Sequence, residues 1–70
     1  MVEVFKTNVN RSEAAEELLG RILQVFPSYR AVFDLEDCDR ILKVVNPQGE
    51  VTTAPVLRIM LEAGFQAEPL

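Results

Sequence analysis

A chain of 70 residues has room for one domain, and 49% apolar residues are enough to form a core. Eleven acidic residues against seven basic ones give a net charge of −4, which would repel a phosphate backbone and disfavours a nucleic-acid partner. The only cysteine, Cys38, excludes an intrachain disulfide and fits a reducing compartment. No stretch approaches the length of a membrane span. We therefore expect a single soluble domain over residues 1–70, cytoplasmic and without membrane contact.

The first predicted elements are a strand and an amphipathic helix. Val2–Lys6 is short and β-rich, and its two valines compete with Phe5 for the inner face. A helix is predicted near residues 11–25, ending before Pro27. Its apolar residues recur at helical spacing and form one stripe: Ala15, Leu18, Leu19, Ile22, Leu23 and Phe26.

The middle of the chain predicts a β-hairpin. Tyr29–Leu35 alternates apolar and polar residues, as a half-buried strand does. Arg40–Val45 is a second β-branched run, and the acidic segment Glu36–Asp39 between the two reads as a tight turn. That segment lacks the glycine and the terminal glutamate of an EF-hand loop, so we interpret it as a solvated turn rather than a calcium site.

A second helix and a short last strand complete the pattern. The helix is predicted near residues 54–63, after a threonine cap at Thr52 or Thr53, and Gly64 supplies the left-handed residue that ends it. The tail, Phe65–Leu70, is predicted to form an edge strand. The order β-α-β-β-α-β predicts an α+β, ferredoxin-like split βαβ sandwich, with two helices on one face of a four-stranded antiparallel sheet.

The whole chain resembles the heavy-metal-associated domains, the fold of copper chaperones and of the N-terminal modules of metal-pumping ATPases. Three segments carry the resemblance: FKTNVN as the strand leading into the metal loop, DLEDCDRILKV as the central hairpin, and APVLRIMLEAGF as the second helix. The resemblance implies a non-enzymatic domain whose metal would be held between the first strand and the first helix.

The resemblance fails at the metal-binding residues. The family pattern is a hydrophobic residue, one spacer and then Cys-x-x-Cys; Val9 and Asn10 match its first two positions, but Arg11 and Ala14 take the places of the cysteines. Neither side chain is a ligand for Cu(I) or Zn(II). We therefore predict a degenerate metal site with no metal and no cofactor.

The same loop has a second interpretation as an anion site. Asn10, Arg11 and Ser12 lie at the predicted start of the first helix, where free N–H groups and the helix dipole favour negative charge. In the simpler interpretation, Asn10 caps the helix with Glu13 in a capping box, Ser12 is an alternative cap, and Arg11 is solvated.

Two further functions stay open as alternatives. One is a metal chaperone that binds metal through an intermolecular site formed by Cys38 of two chains. The other is a small anion-binding enzyme of the acylphosphatase type, which would use an arginine at this joint. The chain has no histidine, the commonest general base, and the loop is not rich in glycine.

The second helix suggests a protein-interaction surface. Its apolar residues sweep a wider arc than one sheet face needs, and Leu57, Ile59 and Leu61 are the candidates for exposure. We expect either an unidentified protein partner or a weak homodimer formed through this helix. The leading hypothesis is a protein-interaction or regulatory domain without enzymatic activity.

Overall fold

The computed structural model describes all residues, 1–70, and confirms the predicted fold. Its elements run in the order β1 (Val2–Thr7), α1 (Ser12–Val25), β2 (Arg30–Asp34), β3 (Ile41–Val45), α2 (Thr53–Glu62) and β4 (Ala67–Pro69). The strands form one antiparallel sheet in the order β2-β3-β1-β4, and both helices pack on the same face. Neither helix is long and apolar enough to cross a bilayer.

Strand pairing decides which residues of β1 face the core. Phe5 lies opposite Leu42 of β3, and both side chains are completely buried beneath the helices. Val4 lies opposite Lys43 and therefore points to the other, uncovered face, as does Val2. The larger apolar side chain thus takes the inner position on β1, and both valines are left outside the core.

The core lies between the sheet and the two helices. It consists of twelve buried residues: Phe5, Val9, Ala14, Ala15, Leu18, Ile22, Tyr29, Leu42, Val44, Val56, Ile59 and Met60. On α1 the buried row is Ala14, Leu18 and Ile22, which are spaced four residues apart, with Ala15 beside it. The predicted stripe was therefore wrong at its margins, since Ala14 joins the core and Leu23 lies exposed.

A Schellman motif ends α2, as the sequence predicts. Gly64 has φ of 87° and donates its N–H to the Leu61 carbonyl at 3.0 Å, while the Phe65 N–H reaches the Met60 carbonyl at 2.9 Å. This turn directs the chain into β4 on the edge of the sheet.

Tyr29 connects the end of α1 to the start of α2. Its ring stacks on Phe26, with centroids 4.3 Å apart, and its hydroxyl lies 3.5 Å from the Thr52 hydroxyl and 3.1 Å from the Thr52 nitrogen. The hydrogen bond with the Thr52 side chain lowers the pKa of Tyr29 most, and the one with the Thr52 backbone lowers it further. Together they hold this pKa below the ordinary tyrosine value, against the opposing effect of burial. Thr52 is the N-cap residue of α2, so this contact links its start to the end of α1.

Alanine substitutions at two glycines should shift stability in opposite directions. Gly64→Ala places a Cβ on a left-handed residue and should lower the free energy of unfolding by about 1–2 kcal/mol. Gly20→Ala lies inside α1 with open space around the new Cβ, and should raise that free energy by about 0.5–1 kcal/mol. Urea unfolding of both variants and the parent checks the pair. Destabilisation by Gly20→Ala, or an unchanged Gly64→Ala variant, would contradict the helix assignments.

Candidate functional site

Three loops meet at one end of the sheet, and we call this region the loop end. It comprises the segments between β1 and α1 (8–11), between β2 and β3 (35–40) and between α2 and β4 (63–66). The Thr7 N–H donates to the Asp39 carbonyl at 3.0 Å, and the Asn8 N–H donates to the Gln66 carbonyl at 3.3 Å. The first bond places the strand-to-helix joint beside the turn between β2 and β3, and the second places it beside the loop after α2.

The buried hydroxyl of Thr7 organises the loop end. It donates to the Arg40 carbonyl at 2.6 Å and accepts the Val9 N–H at 3.2 Å, while the Val9 side chain is completely buried. A buried hydroxyl needs such partners. Thr7 was not predicted from the sequence as a functional residue, although its place two residues after Phe5 puts a polar side chain on the inner face of β1.

Asn8 ties the joint to the loop after α2. Its Oδ1 accepts the backbone N–H of Gln66 at 2.8 Å, next to the backbone bond that the same two residues share. Asn8 and Gln66 are 58 positions apart in the chain, so this pair closes the sandwich at the loop end. The carboxamide oxygen of Asn8 thus has a structural role.

The start of α1 differs from the predicted capping box. The N-cap residue is Arg11, whose backbone is extended and whose side chain makes no capping hydrogen bond; capping by Asn10 was therefore wrong. The burial of Val9 and Ala14 fixes where the helix begins, one residue later than a capping box at Asn10 requires. The Ser12 hydroxyl donates to the Glu13 carboxylate at 2.9 Å and does not cap the helix either.

Arg11 and Ala14 occupy different surroundings at this joint. The Arg11 side chain is exposed, whereas Ala14 belongs to the buried core. The guanidinium is a permanent cation with no lone pair for a metal, and the methyl group of Ala14 has no donor atom. The two positions that the family resemblance assigns to cysteines therefore supply no metal ligand.

A groove of about 380 Å³ runs beside the start of α1. Its lining contains two cations and two carboxylates, and the Arg21 guanidinium already binds the Glu17 carboxylate at 2.9 Å. The complete lining is Arg11, Glu13, Ala14, Glu17, Leu18, Arg21, Ala63 and Phe65. Of the residues predicted to hold an anion, Arg11 lines the groove and Asn10 and Ser12 do not. These charges balance, so the groove offers an anion no net positive charge.

The turn between β2 and β3 brings Cys38 to the same end. The Cys38 thiol is exposed, and its sulfur lies within 4.8 Å of carboxylate oxygens of Asp37 and Asp39. Both carboxylates already have partners: Asp37 accepts the Asp39 N–H at 2.9 Å, and Asp39 lies 3.8 Å from the Lys6 ammonium. Arg40, with φ of 46°, closes the turn.

The three residues predicted as a surface on α2 differ in their exposure. Leu61 is 72% exposed and Leu57 is partly buried, but Ile59 belongs to the core. Ile59 was therefore wrong as a surface residue, because its side chain packs within the core cluster and is only 9% exposed. The candidate surface on α2 is reduced to Leu57 and Leu61.

Three solved structures resemble this chain over almost its full length. A gold-binding protein is 14% identical, with a TM-score of 0.79 over 97% of this chain and 98% of that one. The copper transporter domain Ccc2a of yeast is 16% identical, with a TM-score of 0.79 over 99% and 93%. The N-terminal domain of PacS from Synechocystis is 15% identical, with a TM-score of 0.65 over 100% and 97%.

The chain has the heavy-metal-associated fold. No protein-family model matches the sequence. No curated protein matches it either. At 14–16% identity the likeness establishes the architecture and leaves the chemistry to the residues of this chain. Within this heavy-metal-associated fold, the side chains of Arg11 and Ala14 offer no ligand atom for Cu(I) or Zn(II).

Removing the Thr7 hydroxyl should destabilise the whole loop end. Thr7→Val keeps the shape but leaves the buried Val9 N–H without its acceptor, so the free energy of unfolding should fall by about 1–3 kcal/mol. Thr7→Ser keeps the hydroxyl and loses only the methyl group, so its free energy of unfolding should fall by less, about 1 kcal/mol. Urea unfolding gives both values. Equal losses in the two variants would show that the hydroxyl does not have this role.

Proposed function

We propose that this chain is a non-enzymatic protein-interaction domain that retains the heavy-metal-associated fold without its metal site. One observation carries the proposal: the joint between β1 and α1 presents an exposed guanidinium and a buried methyl group where the fold's metal-binding members are expected to have thiolates. Soft Cu(I) needs thiolate or thioether ligands, and neither is present there. A cytoplasmic location is part of the proposal and follows from the lone free thiol.

The joint between β1 and α1 is held by contacts within the chain. Thr7, Asn8 and Val9 fix the path of the chain through hydrogen bonds and burial, and every buried side-chain nitrogen and oxygen has a partner. These features support a domain stabilised by its own contacts rather than by a bound ion. Its function would then depend on the shape and surface of the fold.

The interaction role rests on the apolar surface that the fold leaves exposed. On α2, Leu61 protrudes and Leu57 is partly exposed beside it. A protein partner, or a weak homodimer through this helix, would bury these side chains. No enzymatic role is proposed, because the groove beside Arg11 has balanced charges and the chain has no histidine.

Restoring the two cysteines should restore a copper site. Arg11→Cys with Ala14→Cys gives the fold the thiolate pair that soft Cu(I) prefers, so the double variant should take Cu(I) from a thiol chelator at one ion per chain. The unaltered monomer should leave the copper on the chelator. Competition titrations followed by copper content and by circular dichroism measure the uptake and the fold together.

A Cys38→Ser substitution in both backgrounds is the matched control. It should change nothing in either, because the proposed chemistry does not use Cys38. Stoichiometric copper uptake by the unaltered monomer would overturn the proposal. A folded double variant that binds no copper would show that Arg11 and Ala14 are not at the metal positions.

The intermolecular Cys38 site is the second candidate, and one observation favours it. The Cys38 sulfur and the carboxylates of Asp37 and Asp39 lie within 4.8 Å of one another, at the same end of the sheet as the joint. Two chains would together supply two thiolates. In the same titrations this function predicts one metal ion per two chains, lost on Cys38→Ser. The mainly carboxylate surroundings suit harder ions better than Cu(I).

A further inference from the structure

The uncovered face of the sheet is unusually rich in aliphatic side chains. An antiparallel sheet with one solvent face normally alternates apolar residues inward with polar residues outward. Here the outward positions of the three adjacent strands β1, β3 and β2 hold five β-branched aliphatic residues: Val2, Val4, Val32, Ile41 and Val45. Val2 is 51% exposed and Val32 is 56% exposed. We call these five residues and Lys43 the open face.

Lys43 lies at the centre of the open face. The register places it directly opposite Val4 of β1 on one side and Val32 of β2 on the other. Along its own strand, Ile41 and Val45 point the same way. The ammonium therefore emerges from a ring of four aliphatic side chains, and no carboxylate of the chain lies within ion-pair distance of it.

The outward side of the sheet holds a larger share of basic residues than the rest of the domain. Its outward positions hold three of the seven basic residues, Lys6, Arg30 and Lys43, against two of the eleven acidic residues, Asp34 and Glu68. The net negative charge of the chain thus comes from the other surfaces. A partner therefore binds more favourably if it places a carboxylate against the Lys43 ammonium.

A second copy of the chain fits this face poorly. In a two-fold face-to-face dimer, residues near the centre of the interface meet their own copies, so the Lys43 ammonium groups would oppose each other. An anionic bilayer fits poorly too, because a chain of net charge −4 is repelled by it. A single strand would add to an edge of the sheet, so a single partner element that covers its face is a helix.

We propose that the open face binds an amphipathic helix of a partner protein, with aliphatic side chains over the five β-branched residues and a carboxylate against Lys43. This inference rests on the proposed interaction role and adds a second surface, separate from Leu57 and Leu61 of α2, with the chemistry of its partner. The bound helix would lie on the side of the sheet opposite α1 and α2, which leaves the loop end free. Leu61 of α2 takes no part in it.

Two synthetic helical peptides test the proposal on the isotope-labelled full chain. Both are Ala-rich, of about 18 residues, with one face of Leu and Val around a central residue that is Glu in one and Lys in the other. In NMR titrations the Glu peptide should shift the amides of Val4, Val32 and Lys43, and bind roughly fivefold more tightly than the Lys peptide. Lys43→Glu should reverse this preference.

Arg58→Glu is the matched control, since it makes the same charge change on the exposed side of α2. It should leave the preference for the Glu peptide unchanged. Absence of localised shifts at millimolar peptide, or an equal response to both peptides, would overturn the proposal. Shifts confined to α2 around Leu61 would also overturn it, while the broader interaction role would stand.

Vesicles of phosphatidylcholine and phosphatidylserine test the membrane as an occupant. Sedimentation with such vesicles should leave the protein in solution. Binding that is lost on Lys43→Glu would replace the partner helix with a lipid surface. The copper titrations judge the proposed loss of the metal site independently, so a failure of one proposal is not mistaken for a failure of the other.

Discussion

The buried hydroxyl of Thr7 holds three segments of the chain in fixed relation at the loop end. It connects the end of β1 to the residue before β3 through the Arg40 carbonyl, and to the following loop through the Val9 N–H. Because Val9 is completely buried, the chain must turn sharply there before α1 begins. The burial of Val9, together with that of Ala14, then sets the start of α1 and the position of Arg11.

The same constraint stabilises the loop end through contacts within the chain. In a small domain the core buries a limited fraction of the surface, and a bound ion is one way to add stability. Here the loop end is fixed instead by the Thr7 hydroxyl, by the pair of hydrogen bonds between Asn8 and Gln66, and by Ala14 in the core. None of these contacts involves an ion. The architecture is therefore compatible with a function that needs no ion.

The order and type of the elements could be predicted from the sequence because local signals agreed with one another. Gly64 and Phe65 end α2 as a Schellman motif, and alternation in β2 puts Phe33 inward and Val32 outward. The start of α1 was placed one residue too early, because burial of Val9 and Ala14 outweighs the capping preference of Asn10. Sequence periodicity therefore predicts that an element exists, and its type, better than it predicts the residue at which the element begins.

Features of the surface were harder to predict, since they depend on how strands pair. From the spacing on α2, Ile59 and Leu61 were both predicted to be exposed. The packing buries Ile59 and leaves Leu61 exposed. The two valines of β1 were read as competitors for the core; the register with β3 places them outside it, beside Lys43. The aliphatic face around Lys43 exists only when three strands are aligned, so no single segment reveals it.

The central claim is that this heavy-metal-associated fold works as an interaction domain without a metal at its loop end. The most direct measurement is native mass spectrometry of the protein purified from the cells that naturally make it, which reports metal content and stoichiometry in one spectrum. We expect chains at their apo mass, alone or with a protein partner. One copper or zinc ion per chain, or one per pair of chains, would contradict it.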